Sequence, residues 1–238
     1  MSNEASLVRR LAWSVFIGLT VGGASIASAR LQAEPSSNST ASLAPETFLR
    51  QLESSYNNVR TLRAEFTQTY TWGGRKRVES GTVYLVRGGA MRWEYRQPRE
   101  KLFVSDGKQL GLYIPEERQL TRSLVKNSED VRVPFSLLLS RLNLRKIFSR
   151  VELVEQAAST LTHARVLRGF PKRAQEQDFS EVLFEVTPTW DVRRFVVYFV
   201  DHSTMEYVFD GMERNVSVSP SLFRFTPPPG TEVIDQRY

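Results

Sequence analysis

The sequence predicts a mainly-β single domain with helices, in which a strongly curved antiparallel sheet presents one concave apolar face that helices cap. Three observations carry that prediction. From Leu62 onward, apolar residues recur mostly at every second position, the period of a half-buried strand. Only two stretches, 45–59 and 134–144, carry the spacings of three and four that mark a helix. The strands also supply more large apolar side chains than two short helices conventionally cover. The 238 residues are 41% hydrophobic, with 14 Phe, 8 Tyr and 4 Trp, which suffices for one core and excludes disorder as the overall state.

Residues 1–29 read as a cleaved export signal. Arg9 and Arg10 precede an uncharged run from Leu11 to Ala24, and Ala27-Ser28-Ala29 offers small residues at both positions of a cleavage site. That run is shorter than the roughly 20 residues of a membrane-spanning helix. No cysteine follows it, so the chain is not itself a lipoprotein. Cleavage after Ala29 leaves 209 residues with 30 basic and 25 acidic side chains, a net charge of +5. The expected location is a periplasm, and export argues against nucleic acid as the partner of this basic chain. Residues 30–44, rich in Ser and Ala, read as a flexible leader. Residues 45–238 read as the single folded domain.

Pro45 and Glu46 suit a helix start, and Phe48, Leu49, Leu52, Tyr56 and Val59 form one apolar stripe on about four turns. A strand follows from Leu62, with Ala64, Phe66, Gln68 and Tyr70 alternating until Trp72-Gly73-Gly74 turns the chain. Val78–Val86 is the second strand and Met91–Tyr95 the third, with Met91, Trp93 and Tyr95 on one face. Lys101–Ser105 and Gln109–Ile114 pair around Asp106-Gly107, a hairpin signal, and Gln119–Leu124 is a further strand. Pro134, Phe135, Leu137, Leu138, Leu139, Leu142 and Leu144 then make a helix apolar nearly all round, which must be buried on several sides or cover a cavity. Strands resume at Val151–Val154, Ala164–Leu167, Val182–Val186, Arg193–Phe199 and Glu206–Phe209. Leu222-Phe223-Arg224-Phe225 is a last short strand before Pro227-Pro228-Pro229-Gly230. Gly81, Gly107 and Gly211 punctuate turns. The total is roughly ten strands.

Enzyme chemistry finds no footing. The chain has no cysteine, which removes disulfides, thiolate metal sites and cysteine nucleophiles. Two histidines, His163 in an alternating strand context and His202 in a turn, are too few for a histidine-rich metal site. Gly73-Gly74-Arg75 lacks the ending of a phosphate-binding loop, and Gly-x-Ser-x-Gly is absent. No constellation supplies nucleophile, base and oxyanion site together, and no cofactor is expected. What remains are apolar strand residues, which either fill an ordinary core or line a cavity for an apolar ligand.

The stretch GTVYLVRGGAMRWEY (81–95), then Gln97-Pro98 and VSDGKQLGLYIP (104–115), resembles the LolA family of periplasmic lipoprotein carriers. Phe66-Thr67-Gln68, Pro134-Phe135 and Phe223-Arg224-Phe225-Thr226-Pro227-Pro228 match as well, so the resemblance runs from about 45 to 237. It implies an incomplete antiparallel β-barrel closed by lid helices around an acyl-chain cavity. The implied cavity residues are Phe66, Leu85, Met91, Trp93, Tyr95, Leu112, Phe135, Leu138, Phe184 and Phe195. The implied cargo is triacylated lipoprotein, received from an inner-membrane transporter of the LolCDE type and passed to an outer-membrane acceptor of the LolB type by a monomeric carrier. An arginine at the end of the second strand reaches the lid helices in such carriers, and here it is Arg87. Period-two counting puts Val83, Leu85 and Arg87 on one face. The family's proline after that arginine is replaced by Gly88-Gly89. The same fold also serves carriers of other envelope lipids and the lipoprotein-sensing part of envelope-stress regulators, and both alternatives stay open.

Overall fold

The computed structural model describes residues 45–125, 144, 148–154, 160–161, 163–172 and 179–236. The expected export signal and leader lie outside the described residues, as does the expected leucine-rich helix apart from Leu144.

Helix α1, Pro45–Asn57, buries the predicted stripe of Phe48, Leu49, Leu52 and Tyr56. Twelve strands follow: β1 (Thr61–Trp72), β2 (Arg75–Val86), β3 (Ala90–Gln97), β4 (Lys101–Asp106), β5 (Gln109–Ile114), β6 (Gln119–Leu124), β7 (Phe148–Val154), β8 (Arg165–Pro171), β9 (Phe179–Val186), β10 (Val192–Phe199), β11 (Thr204–Arg214) and β12 (Glu232–Asp235). They form one open sheet in the order β12-β6-β5-β4-β3-β2-β1-β11-β10-β9-β8-β7. Two antiparallel meanders, β1–β6 and β7–β11, therefore meet at a single seam. There Leu62 pairs with Arg214 and Thr71 with Thr204.

The alternation read from the sequence is the alternation of burial. Leu62, Ala64, Phe66 and Gln68 are buried between half-buried neighbours along β1, and Met91, Trp93 and Tyr95 along β3. These inner-face side chains join those of α1 in one hydrophobic cluster spanning both meanders. Leu144 sits in the same cluster, and its N–H donates to Glu53 Oε1 of α1 at 3.2 Å.

The end of the chain differs from expectation. Leu222-Phe223-Arg224-Phe225 is not a strand: Ser219 caps a short 3-10 helix, Pro220–Phe223. Proline at its start fixes φ and removes a strand donor. The Phe223 side chain is buried and Arg92 donates to the Leu222 carbonyl at 3.0 Å. The last strand, β12, comes after the Pro-Pro-Pro-Gly turn and pairs parallel to β6, so the sheet is not wholly antiparallel. Gly81 and Gly211 are not turn residues either. Gly81 lies within β2 at a shift in the β2–β3 register, where an added Cβ would stand 1.8 Å from the Glu94 carbonyl oxygen. Gly211 lies within β11, where the β1–β11 register shifts, with φ of 55°. His163 is an exposed turn residue before β8 rather than part of a strand.

Candidate functional site

The predicted apolar residues come together. Phe66, Leu85, Met91, Trp93, Tyr95, Phe184 and Phe195 are all buried in one cluster, with Leu112 half-buried against it. Their contacts are aromatic edges and tilts: Phe66 meets both Trp93 and Tyr95 at 4.9 Å between centroids. Phe184 meets Phe195 at 4.9 Å and Phe148 at 5.8 Å. Phe135 and Leu138 lie outside the described residues.

Arg87 stands at the rim of this face, just past the end of β2. An α-helix ends with carbonyls that have no partner within the helix and a partial negative charge, which a nearby cation offsets. The last turn of α1 contains no basic residue. Arg87 supplies the cation from elsewhere in the chain: its Nη2 lies 2.8 Å from the Tyr56 carbonyl, 2.9 Å from that of Asn57 and 2.6 Å from that of Val59. Its Nε adds a bond to the Val59 carbonyl at 3.1 Å, and its backbone N–H donates to the Arg60 carbonyl at 2.8 Å. The following glycines have φ of 103° at Gly88 and 96° at Gly89. Proline, held near −65°, does not fit that backbone, so the glycine pair gives this turn a path of its own. The neighbouring hairpin lies close against it, since a Cβ on Gly107 would stand 2.9 Å from the Gly88 oxygen. Asp106 organises that second hairpin by accepting from the Lys108 and Gln109 N–H groups, each at 2.8 Å. The bond from Gln109, chiefly, holds its carboxyl below the ordinary carboxylate range.

The opposite flank of α1 is fixed to the β9–β10 turn. The Tyr56 hydroxyl accepts from the Val192 N–H at 2.9 Å, and burial pushes its pKa up to about 12. The Arg214 guanidinium lies 4.9 Å above the Tyr56 ring and donates to Asp191 and to the Trp190 carbonyl. Phe48 packs on Trp190 at 4.9 Å. The links from Tyr56 and Phe48 to this turn are not legible in sequence, because the residues that meet stand more than a hundred positions apart.

One further feature of the face is legible by the same counting. Steps of two from Arg87 back along β2 reach Glu79, which is buried, and from Phe66 along β1 reach Gln68, also buried. Tyr95 donates to Gln68 Oε1 at 2.7 Å, and Lys101 Nζ lies 2.6 Å from Glu79 Oε1. Gln68 Nε2 approaches Glu79 Oε2 at 3.4 Å. The inner face thus passes from apolar to a satisfied polar network, the condition for burying such groups. Among the described residues no group of His, Asp and Glu could hold a metal ion.

Comparison with known proteins gives one consistent answer. The family model "Outer membrane lipoprotein carrier protein LolA" matches residues 57–226. The outer-membrane lipoprotein carrier protein of Nitrosospira multiformis is 31% identical over 193 residues, covering 80% of this chain and 89% of that protein. That of Haemophilus influenzae strain KW20 is 32% identical over 189 residues, covering 79% and 86%. Among solved structures, an uncharacterized conserved protein from Thermus thermophilus shares the fold with a TM-score of 0.50 at 13% identity, covering 79% of this chain and 98% of that one.

Proposed function

Since the chain belongs to the LolA family of outer membrane lipoprotein carrier proteins, we propose that it is a periplasmic carrier. It takes the acyl chains of triacylated lipoproteins from an inner-membrane ABC transporter of the LolCDE type and delivers them to an outer-membrane acceptor of the LolB type. The inner face around Phe66, Leu85, Met91, Trp93, Tyr95, Leu112, Phe184 and Phe195, with Phe135 and Leu138 from the leucine-rich stretch, is the acyl-binding surface. No catalytic role or cofactor belongs to this reading.

The energetics require such a protein. Lipid anchoring contributes ~0.8 kcal/mol per buried methylene, so three long chains reach roughly 30 kcal/mol as an upper bound. A carrier must cover that surface and still release it. The residues that face the lipid are large, and Met91 is adaptable. Loading energy comes from the transporter, because the sequence carries no nucleotide-binding motif.

The observation that carries the proposal is the hold of Arg87 on the carbonyls of Tyr56 and Val59 at the end of α1. A guanidinium cannot lose its charge at neutral pH and presents its donors as a planar fork. These bonds exist only while α1 is seated, so they bias a closed–open equilibrium that entering lipid must shift. Lipid bound in the open form is then under pressure to leave. In a purified system, the wild-type chain is expected to bind an apolar dye, release it to a triacylated lipopeptide, and pass loaded lipoprotein to an acceptor. Arg87→Leu is expected to load but to transfer a much smaller fraction. A folded protein that ignores dye and lipopeptide at micromolar concentration would refute the carrier reading. Transfer equal to wild type by Arg87→Leu would remove Arg87 from the mechanism.

A further inference from the structure

At the end of β1 and β2 remote from Arg87, the sheet finishes in features that carriage of acyl chains does not use. Tyr70 and Trp72 stack at 4.9 Å, 20° from parallel, and both stay half-exposed. Arg75, Lys76 and Arg77 follow, all exposed, with Arg77 lying 5.8 Å over the Tyr70 ring. Val78 is 52% exposed, and Val200, in the adjoining β10–β11 turn, is 59% exposed. The turn itself is the tight two-residue kind: Gly73 and Gly74 have φ of 50° and 75°, the signature of a hairpin whose twist matches its strands. The tip is therefore fixed in shape before it meets anything.

Its charge is nearly all of one sign. The nearby acids are engaged: Glu79 is turned inward against Lys101, with Arg77 Nε 3.9 Å from the same carboxylate, and Glu206 pairs with Arg194. Asp201 is exposed but bound by the Ser203 N–H and hydroxyl. Cations on this hairpin have one ready explanation, since residues 75–79 of β2 pair with β1 before the β2–β3 pairing begins at Ser80, and basic side chains keep an open edge from pairing with other chains. That explains Arg75 and Lys76. It does not explain why Tyr70 and Trp72, on the face of Arg75 and Arg77, stay half-exposed, nor why Val78, on the face of Lys76, and Val200 in the adjoining turn are exposed. Aromatic rings with polar edges, small apolar side chains and a basic cluster together are the chemistry of a membrane–water interface. There the rings sit at headgroup depth, and each cation near an anionic surface strengthens binding.

We propose that the β1–β2 hairpin tip, with Val200 beside it, docks on the surface of a bilayer containing anionic phospholipid. Such docking would bring the carrier to a membrane independently of any protein partner, and it does not depend on which lipid the inner face holds. The test uses protein purified after export and two vesicle types, phosphatidylcholine alone and an equimolar mixture with phosphatidylglycerol. Wild type is expected to sediment with the mixed vesicles, in a salt-sensitive manner, and not with the neutral ones. The variant Arg75→Gln/Lys76→Gln/Arg77→Gln should bind the mixed vesicles about 100-fold more weakly, at roughly 5-fold per removed cation. Phosphatidylglycerol with brominated acyl chains should quench a component of the tryptophan emission that Trp72→Phe lacks. All four substituted positions are at the surface, and matching thermal midpoints confirm intact folds. Equal vesicle binding by wild type and the triple variant overturns the proposal, as does binding without quenching at Trp72. Retention on polyglutamate without vesicle binding also overturns it, in favour of an acidic protein partner.

Discussion

Arg75 opens strand β2 and Arg87 follows its last residue, on the same face by period-two counting, and the two do opposite things. Arg87 places its guanidinium among three carbonyls at the end of α1, while Arg75 extends into solvent beside a glycine turn. Residue type, strand and face are alike. What differs is the neighbour: one end of the strand meets a helix C-terminus that lacks a cation of its own, and the other meets water. An arginine at a strand end thus becomes a structural clasp only where unsatisfied acceptors converge on it.

Four positions break or sharpen that contrast. The largest effect is expected midway between the two arginines. Gly81→Ala places a methyl 1.8 Å from the Glu94 carbonyl oxygen, and relieving it requires moving one strand from the other. A loss of at least ~4 kcal/mol, read by chemical denaturation, is the expected outcome. Arg87→Leu should cost about 3 kcal/mol, since charge-assisted hydrogen bonds of about 1.5–3 kcal/mol are lost without being additive. Arg87→Lys should recover only part of it, because an ammonium cannot span the same acceptors.

Tyr56→Phe tests the opposite flank of the helix and should cost about 1.5 kcal/mol at neutral pH by leaving the Val192 N–H unpaired. The sign then changes with pH. The folded-state pKa of about 12 exceeds the ordinary value of 10.0, so the contribution of Tyr56 is complete below pH 10 and is lost between pH 10 and 12. The loss approaches ~2.7 kcal/mol. The advantage of wild type over Tyr56→Phe should therefore shrink and reverse across that interval. A constant difference would mean that the hydroxyl is not buried. Smallest of all, Arg75→Ala should change stability by no more than about 0.5 kcal/mol. An effect as large as that of Arg87→Leu would erase the distinction between the two ends.

How much of the molecule is readable in its sequence depends on the distance over which the information acts. The stripe Phe48-Leu49-Leu52-Tyr56 and the alternation in β1 and β3 are local, and the helix and strands fall where the periods put them. Arg87 stands out by resemblance and by counting along β2, but its acceptors become adjacent only when α1 folds back on the sheet. Leu222-Phe223-Arg224-Phe225 alternates like a strand, yet Ser219 and Pro220 begin a 3-10 helix instead. Strand β12 is four residues long with an acid at each end, too short and too polar to stand out, and parallel pairing with β6 has no local signature. The Gln68–Glu79–Tyr95–Lys101 network needs only the same counting. That counting puts Gln68 and Glu79 on the inner face, but only the cross-strand partners Tyr95 and Lys101 show why polar side chains turn in there.

The seam between β1 and β11 bears on the order in which the chain comes together. Strand β1 sits at the centre of the sheet, with β2 on one side and β11 on the other. Its first partner is the next strand in the chain, whereas β11 is the last of the antiparallel strands described. Each meander pairs strands that are neighbours in sequence, so each can assemble as its residues appear. Their union must wait, and closing so long a loop is the slow kind of step in β-protein folding. Until then one long edge of β1 has no partner, so the folding molecule is two half-sheets with its central joint still open.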